Sequence, residues 1–160
     1  MIATVRLRLD QASADAAGRL AYGGDGGWNW LGGGPEEGTR GMAGMVARAA
    51  EVGWHRPPWG LYVIVHPADG LAVGSVGFHA PPDSEGLVEI GYDLVPQARG
   101  FGLATEAAQA LTRYALTHPA VRTVLAVTRP DNTASQRVLL RAGFLRAADA
   151  EGLRRYRVDR

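Results

Sequence analysis

An α/β domain with a sheet of about seven strands flanked by about four helices is predicted by three features of this sequence. From residue 61 onward, strand-like runs are separated by turns rich in proline and glycine; beyond residue 95, runs with helical spacing alternate with β-rich ones. The composition is that of one globular domain, with 46% hydrophobic and 21% charged residues in 160. A chain of this length can bury a single core without disulfides or a structural metal.

Each element has its own signal. Residues 2–9 set Val5, Leu7 and Leu9 against Thr4, Arg6 and Arg8, the alternation of a half-buried strand. A short helix is expected to about Leu20. Residues 22–35 hold so many glycines, with Trp28 and Trp30 among them, that a long loop is expected. Helical spacing returns over 36–52 through Met42, Met45, Val46 and Ala49, and Pro57-Pro58 prevents its continuation. Leu61–Val65, Ala72–His79 and Leu87–Val95 then read as an antiparallel meander. Leu103, Ala107, Leu111, Tyr114 and Ala115 form one stripe of a helix over 103–117, followed by a β-rich run over 121–128. Asp131 or Asn132 can cap a helix whose inner stripe is Ser135, Val138, Leu139 and Ala142, with Gly143 as its terminator. Residues 144–148 and 153–158 make a closing pair of strands.

Several function classes are excluded early. There is no cysteine, which removes thiol nucleophiles, thiolate metal sites and redox pairs, and His55, His66, His79 and His118 have no metal-ligand spacing. No metal is expected. A net charge of +1 is too balanced for a protein that holds nucleic acid through its phosphates. All 17 basic residues are arginine. No run approaches the roughly 20 apolar residues of a membrane helix, and residues 1–10 lack a signal-peptide core, so a cytoplasmic protein is expected. A serine nucleophile at Ser75 lacks the glycine two places before it that a nucleophile elbow requires, and lies within a strand; His79 is close in sequence, with no acidic orienter evident.

The informative segment is Gln97-Ala98-Arg99-Gly100-Phe101-Gly102-Leu103-Ala104-Thr105, between a strand and a helix. Two glycines allow successive amides to converge, and the helix adds the positive end of its dipole, as a phosphate cradle requires. A nucleoside-triphosphate loop would end in Gly-Lys-Ser/Thr, and the chain has no lysine. A dinucleotide fingerprint would place a third glycine at Thr105. The remaining class is a coenzyme A cradle.

Four motifs in order carry a specific resemblance: Val88-Glu89-Ile90-Gly91-Tyr92; Gln97-x-x-Gly100-x-Gly102-x-Ala104-Thr105-Glu106; Pro130-Asp131-Asn132-x-x-Ser135; and Ala142-Gly143-Phe144. The chain resembles the GNAT superfamily of N-acetyltransferases, in the branch that contains the ribosomal-protein N-terminal acetyltransferases. The resemblance implies one acetyl-CoA-dependent domain over residues 1–160, with a mixed, mostly antiparallel sheet splayed between the fourth and fifth strands. Acetyl-CoA would lie in that gap, its pantetheine paired with main-chain groups of Leu94 and Val95 and contacted by Asn132. Its pyrophosphate would rest on amides from Arg99 through Gly100, Phe101, Gly102, Leu103 and Ala104 to Thr105, with Gln97 preceding them. Arg137 or Arg141 would reach the 3′-phosphate. A homodimer is suggested by the family.

Acetyl transfer asks for a base that deprotonates the amine and a donor for the departing thiolate. Glu89, within an otherwise apolar strand and on one face with Gly91 and Asp93, is the expected base, directly or through water. Many family members carry a tyrosine seven residues after the asparagine, where this chain has Leu139, so Ser135 is the expected thiolate partner. Tyr22, Trp28 and Trp30, with Trp54, His55 and Trp59, occupy segments that build the acceptor cleft in the family; Asp93, Asp83 and Glu85 are candidates to attract a cation. Deprotonating an α-amine at pH 7 costs about 1 kcal/mol, against roughly 4 to 5 for a lysine-type amine, which favours a small amine or peptide N-terminus as acceptor. The alternative is a non-catalytic acyl-CoA-binding or regulatory module on the same scaffold.

Overall fold

The computed structural model describes residues 1–160. Strands β1 (Ile2–Ala3) and β2 (Arg8–Gln11) lead into helices α1 (Ala14–Ala21) and α2 (Glu37–Glu51). The meander β3 (Leu61–His66), β4 (Leu71–Phe78) and β5 (Leu87–Leu94) follows, then α3 (Leu103–Leu116), β6 (Thr123–Thr128), α4 (Thr133–Arg141), β7 (Leu145–Ala150) and β8 (Leu153–Asp159). All eight strands join one sheet in the order β1-β2-β3-β4-β5-β6-β8-β7. Every pairing is antiparallel except β5 with β6, which α3 connects by the helical crossover that parallel neighbours need.

The eighth strand comes from a turn that the alternation of residues 2–9 conceals. The Thr4 amide donates to the Leu7 carbonyl, and Thr4 Oγ1 accepts the Leu7 amide, so the expected single strand folds into a hairpin with Val5 97% exposed at its tip. A side-chain-closed turn leaves no glycine or proline to announce it.

The sheet has two apolar faces. Along β3, Leu61, Val63 and Val65 pack with Ala16, Leu20 and Val46 of α1 and α2, while Tyr62 and Ile64 point to the opposite layer. That layer holds Val88 and Ile90 of β5, Leu111 of α3, and Leu139 and Phe144 at the end of α4. Of the two candidate caps for α4, Asn132 is the one used: its side chain accepts the Ser135 amide at 3.1 Å. Gly143 ends the helix at φ +99°.

The feature that matters for function is where β5 and β6 part. Their pairing runs from Leu87 opposite Thr123 to Ile90 opposite Ala126 and stops, although β5 continues to Leu94 and β6 to Thr128. The splay therefore begins at Gly91. β4 pairs with β5 along this second half, holding it in place on the other side.

Candidate active site

A cleft of about 550 Å³ opens between the unpaired half of β5, the bend leading into α3, and α4. Gly100 and Gly102 take left-handed φ values of +86° and +76°, and Gly102 caps α3. The amides of Gly100, Phe101, Gly102, Leu103, Ala104 and Thr105 donate to no acceptor within the protein. Such a run of unpartnered donors at a helix N-terminus, with Arg99, Arg137 and Arg141 also lining the cleft, fits a diphosphate and a further phosphate.

The bend is braced from behind. Arg6 donates to the Phe101 carbonyl at 2.8 Å and to Glu106 at 2.7 Å, while Thr4 Oγ1 donates to Glu106 at 2.6 Å. Burial pushes the Glu106 carboxyl up, but the hydrogen bonds from Thr4 and Arg6 together outweigh it and hold the group below its ordinary value.

Not every expected coenzyme contact faces the cleft. The Val95 amide donates to Val73 and its carbonyl accepts from Ala98, so alternation turns the main chain of Leu94, and not that of Val95, toward the gap. The Leu94 carbonyl meanwhile accepts both Nε and Nη2 of Arg99, at 3.1 and 3.0 Å. Gln97 leans over Gly32, occupying the space a side chain there would fill, and is absent from the cleft wall. The Phe101 ring is 65% exposed and also lies outside the cleft, so that residue offers only its amide. Asn132 lines the cleft with its side-chain oxygen already committed to capping α4.

Ser135 faces the cleft from α4, with a partner the sequence did not disclose. Tyr92 reaches across from β5, its hydroxyl 2.5 Å from Ser135 Oγ and 3.1 Å from the Ser135 carbonyl. Burial raises the Tyr92 pKa to about 12, a shift that the Ser135 hydrogen bond opposes, so the phenol stays a proton-bearing group at neutral pH. Leu139, seven residues after Asn132, is fully buried in the core.

The opposite face of the sheet carries a second constellation. Three cross-strand pairs lie in a row: Ser75 with Asp93, Gly77 with Gly91, and His79 with Glu89. The two glycines leave the middle of this row without side chains. At one end, Glu89 Oε2 lies 3.1 Å from His79 Nδ1, each side chain about one-third exposed at 33%. His79 is thus given the acidic partner that sequence reading did not find. At the other end, Asp93 accepts the Thr39 amide at 3.0 Å, and Thr39 Oγ1 meets Ser75 Oγ at 2.8 Å, clamping the start of α2 to the sheet.

Burial pushes the Asp93 carboxyl above the usual carboxylate range; the Thr39 amide and Arg99 oppose this shift, and Glu36 reinforces it. A raised pKa means that the folded state favours the protonated acid, so stability grows as pH falls through that value and the ionised form is a burden at neutral pH. Asp93→Asn is therefore expected to raise the melting temperature at pH 7, with the gain shrinking toward about pH 4. Calorimetry at both values checks this; a gain that did not depend on pH would contradict it.

The aromatic residues expected around the acceptor have packing contacts of their own. Trp28 and Trp30 pack on the layer beneath α1 and α2, and Trp30 Nε1 donates to the Asp25 carbonyl within the same glycine-rich loop. Tyr22 is 81% exposed in a groove outside α1 and α2, away from both constellations. Trp59 meets Phe78 and His118 edge-on, each with ring centroids 4.9 Å apart. Asp83 is occupied by the amides of Glu85 and Leu87 in the turn before β5. Large residues next to glycine signal a loop that must be anchored as readily as one that binds.

Comparison with known proteins agrees with this architecture. The model of the acetyltransferase (GNAT) domain family matches residues 6–145. The uncharacterised N-acetyltransferase YjdG of Bacillus subtilis is 36% identical over 84 residues, 52% of this chain and 50% of that protein. The chain thus spans about half the length of the curated relatives it matches. A GNAT-family acetyltransferase structure from Bacillus anthracis superposes with a TM-score of 0.65 at 23% identity, covering 99% of this chain and 97% of that one. The structure of RimL, a ribosomal L7/L12 alpha-N-protein acetyltransferase, in complex with coenzyme A gives 0.66 at 20% identity, covering 98% and 95%. No helix is long and apolar enough to cross a membrane.

Proposed function

We propose, for a chain that belongs to the GNAT acetyltransferase family, that residues 1–160 form one catalytic domain moving an acetyl group from acetyl-CoA to a primary amine. The acceptor is a small molecule or a peptide N-terminus, attacked in a ternary complex without an acyl-enzyme. The observation that carries this reading is the run of unpartnered amides from Gly100 to Thr105 at the mouth of a gap between parallel strands. These amides would hold the coenzyme's diphosphate, Arg137 or Arg141 its 3′-phosphate, and the Leu94 main chain and Asn132 its pantetheine arm. When bound, the coenzyme supplies an activated acetyl group as a thioester.

The chain's own groups divide by side. Ser135, backed by Tyr92, presents a hydroxyl where the leaving sulfur needs a donor. Glu89, with His79, stands on the face of α1 and α2, where an amine entering the gap at Gly91 must lose a proton. The leucine at 139 was the argument for a non-catalytic module; the phenol of Tyr92 beside Ser135 weakens it.

Thiol release from acetyl-CoA over a panel of amines, aminoglycosides, amino acids and peptides tests the proposal. Acceptor-dependent release is expected, together with a stabilisation of about 2.7 kcal/mol when acetyl-CoA is present at a hundred times its dissociation constant. Stabilisation without release for any acceptor would favour the binding module; the absence of both would remove the coenzyme site.

A further inference from the structure

The geometry points to His79 Nε2, and not the Glu89 carboxylate, as the group that takes the proton from the acceptor amine. This rests on the acetyl-transfer reading and refines it. The Glu89 carboxylate lies 3.1 Å from His79 Nδ1, and its negative charge favours the tautomer that carries the proton on Nδ1 and leaves the lone pair on Nε2.

The position of that lone pair is the second observation. A side chain added at Gly91 would begin 2.9 Å from His79 Nε2 and 3.5 Å from Met42 Sδ, so the ring edge lies directly over this glycine, beneath α2. Gly91 is also the first residue of β5 beyond the last pair with β6, where the gap opens. Glu89 lies two residues earlier, opposite Leu125 in the closed part of the sheet. Of the two, the imidazole is the one that reaches the opening. With no side chain at 91, Nε2 itself sits over the backbone at the opening, where an amine entering the gap meets it.

The step balances as follows. The acceptor ammonium gives one proton to Nε2, and Glu89 stabilises the imidazolium that results. The freed lone pair forms the carbon–nitrogen bond to the acetyl carbon as the carbon–sulfur bond breaks, its electron pair leaving with sulfur. The second nitrogen proton lost ends on that sulfur, and the imidazolium returns its proton to water. Glu89 is then a positioning residue, acting through the ring.

Steady-state kinetics with acetyl-CoA, a thiol reagent and the fastest acceptor of the amine panel tests this. H79A is expected to lower kcat by about 10²-fold or more, with KM for acetyl-CoA and thermal stabilisation by acetyl-CoA unchanged. Added imidazole should restore turnover to H79A while leaving the unmodified protein unaffected. H79Q, which keeps polarity without a base, is expected to show the same loss of kcat and takes the place of H79A should the smaller side chain disturb folding. E89Q retains an acceptor for Nδ1–H and is expected to lose only about tenfold. H79A within threefold of the unmodified protein would overturn the assignment. So would an E89Q loss matching that of H79A with no rescue by imidazole, which would make the carboxylate the base. Failure of the unmodified protein to release thiol with any acceptor would instead remove the transfer reading, and this assignment with it.

Discussion

Gly74→Ala is expected to destabilise the fold by about 3 to 5 kcal/mol, a loss confined to a few special mechanisms. Gly74 lies opposite Leu94 where β4 holds the free half of β5. An added methyl carbon would fall 2.1 Å from the Asp93 carbonyl oxygen and 3.0 Å from the Leu94 Cα. Both are main-chain atoms, which cannot swing aside as a flexible side chain would. The strands must part, and they part at the segment that walls the coenzyme cleft, so the variant that does fold should also bind acetyl-CoA poorly. Urea denaturation measures the first effect and a thermal shift with acetyl-CoA the second. Gly41→Ala is the control: it lies in α2 with nothing near its added carbon and is expected to gain about 0.4 to 1 kcal/mol. Equal midpoints for Gly74→Ala and the unmodified protein would disprove the close approach.

The second large effect concerns turnover. Ser135→Ala is expected to lower kcat by about 10²-fold, the typical loss when one donor to a developing charge is removed, while acetyl-CoA binding is nearly kept. Tyr92→Phe removes the phenol that lies 2.5 Å from Ser135 Oγ and should cost about tenfold, because the serine then lacks the group that directs its proton. The two residues act as a unit, so the double variant should be little worse than Ser135→Ala alone. With its pKa near 12, Tyr92 keeps its proton through neutral and mildly alkaline pH and adds no alkaline loss of activity there. An unchanged turnover number for Ser135→Ala would take both residues out of the mechanism.

What could be read in advance follows from the range of the interactions involved. The meander, the α3 and α4 stripes, the cap at one of Asp131 and Asn132 and the Gly143 terminator depend on neighbours within a few positions and lie where periodicity and turn chemistry put them, whereas α2 buries Thr39, Ala43, Val46 and Ala47 and leaves Met45 of the expected stripe 37% exposed. The Thr4 turn was hidden because a threonine in an alternating run looks like the polar half of a strand. Tyr92 and Ser135 are 43 positions apart, and alternation says only that Tyr92 shares a face with Ile90 and Leu94. His79 and Glu89 meet through the register of β4 on β5, which the turn between them sets; counting that turn as a hairpin was the available clue. The tryptophans were ambiguous for the opposite reason. Their type suits a binding surface and a core equally, and only the packing of the loop distinguishes the two.

Of the facing glycines 77 and 91, the first is closed over by the main chain of Gly60 and Leu61, while His79 and, beside it, Met42 of α2 cover the second. Under the proposed reaction, the proton-handling groups would lie on the strands and the nearest side chain of the overlying helix would border the amine's path. Exchanges at Met42 are then expected to change which amines are accepted while His79 and Glu89 stay in place.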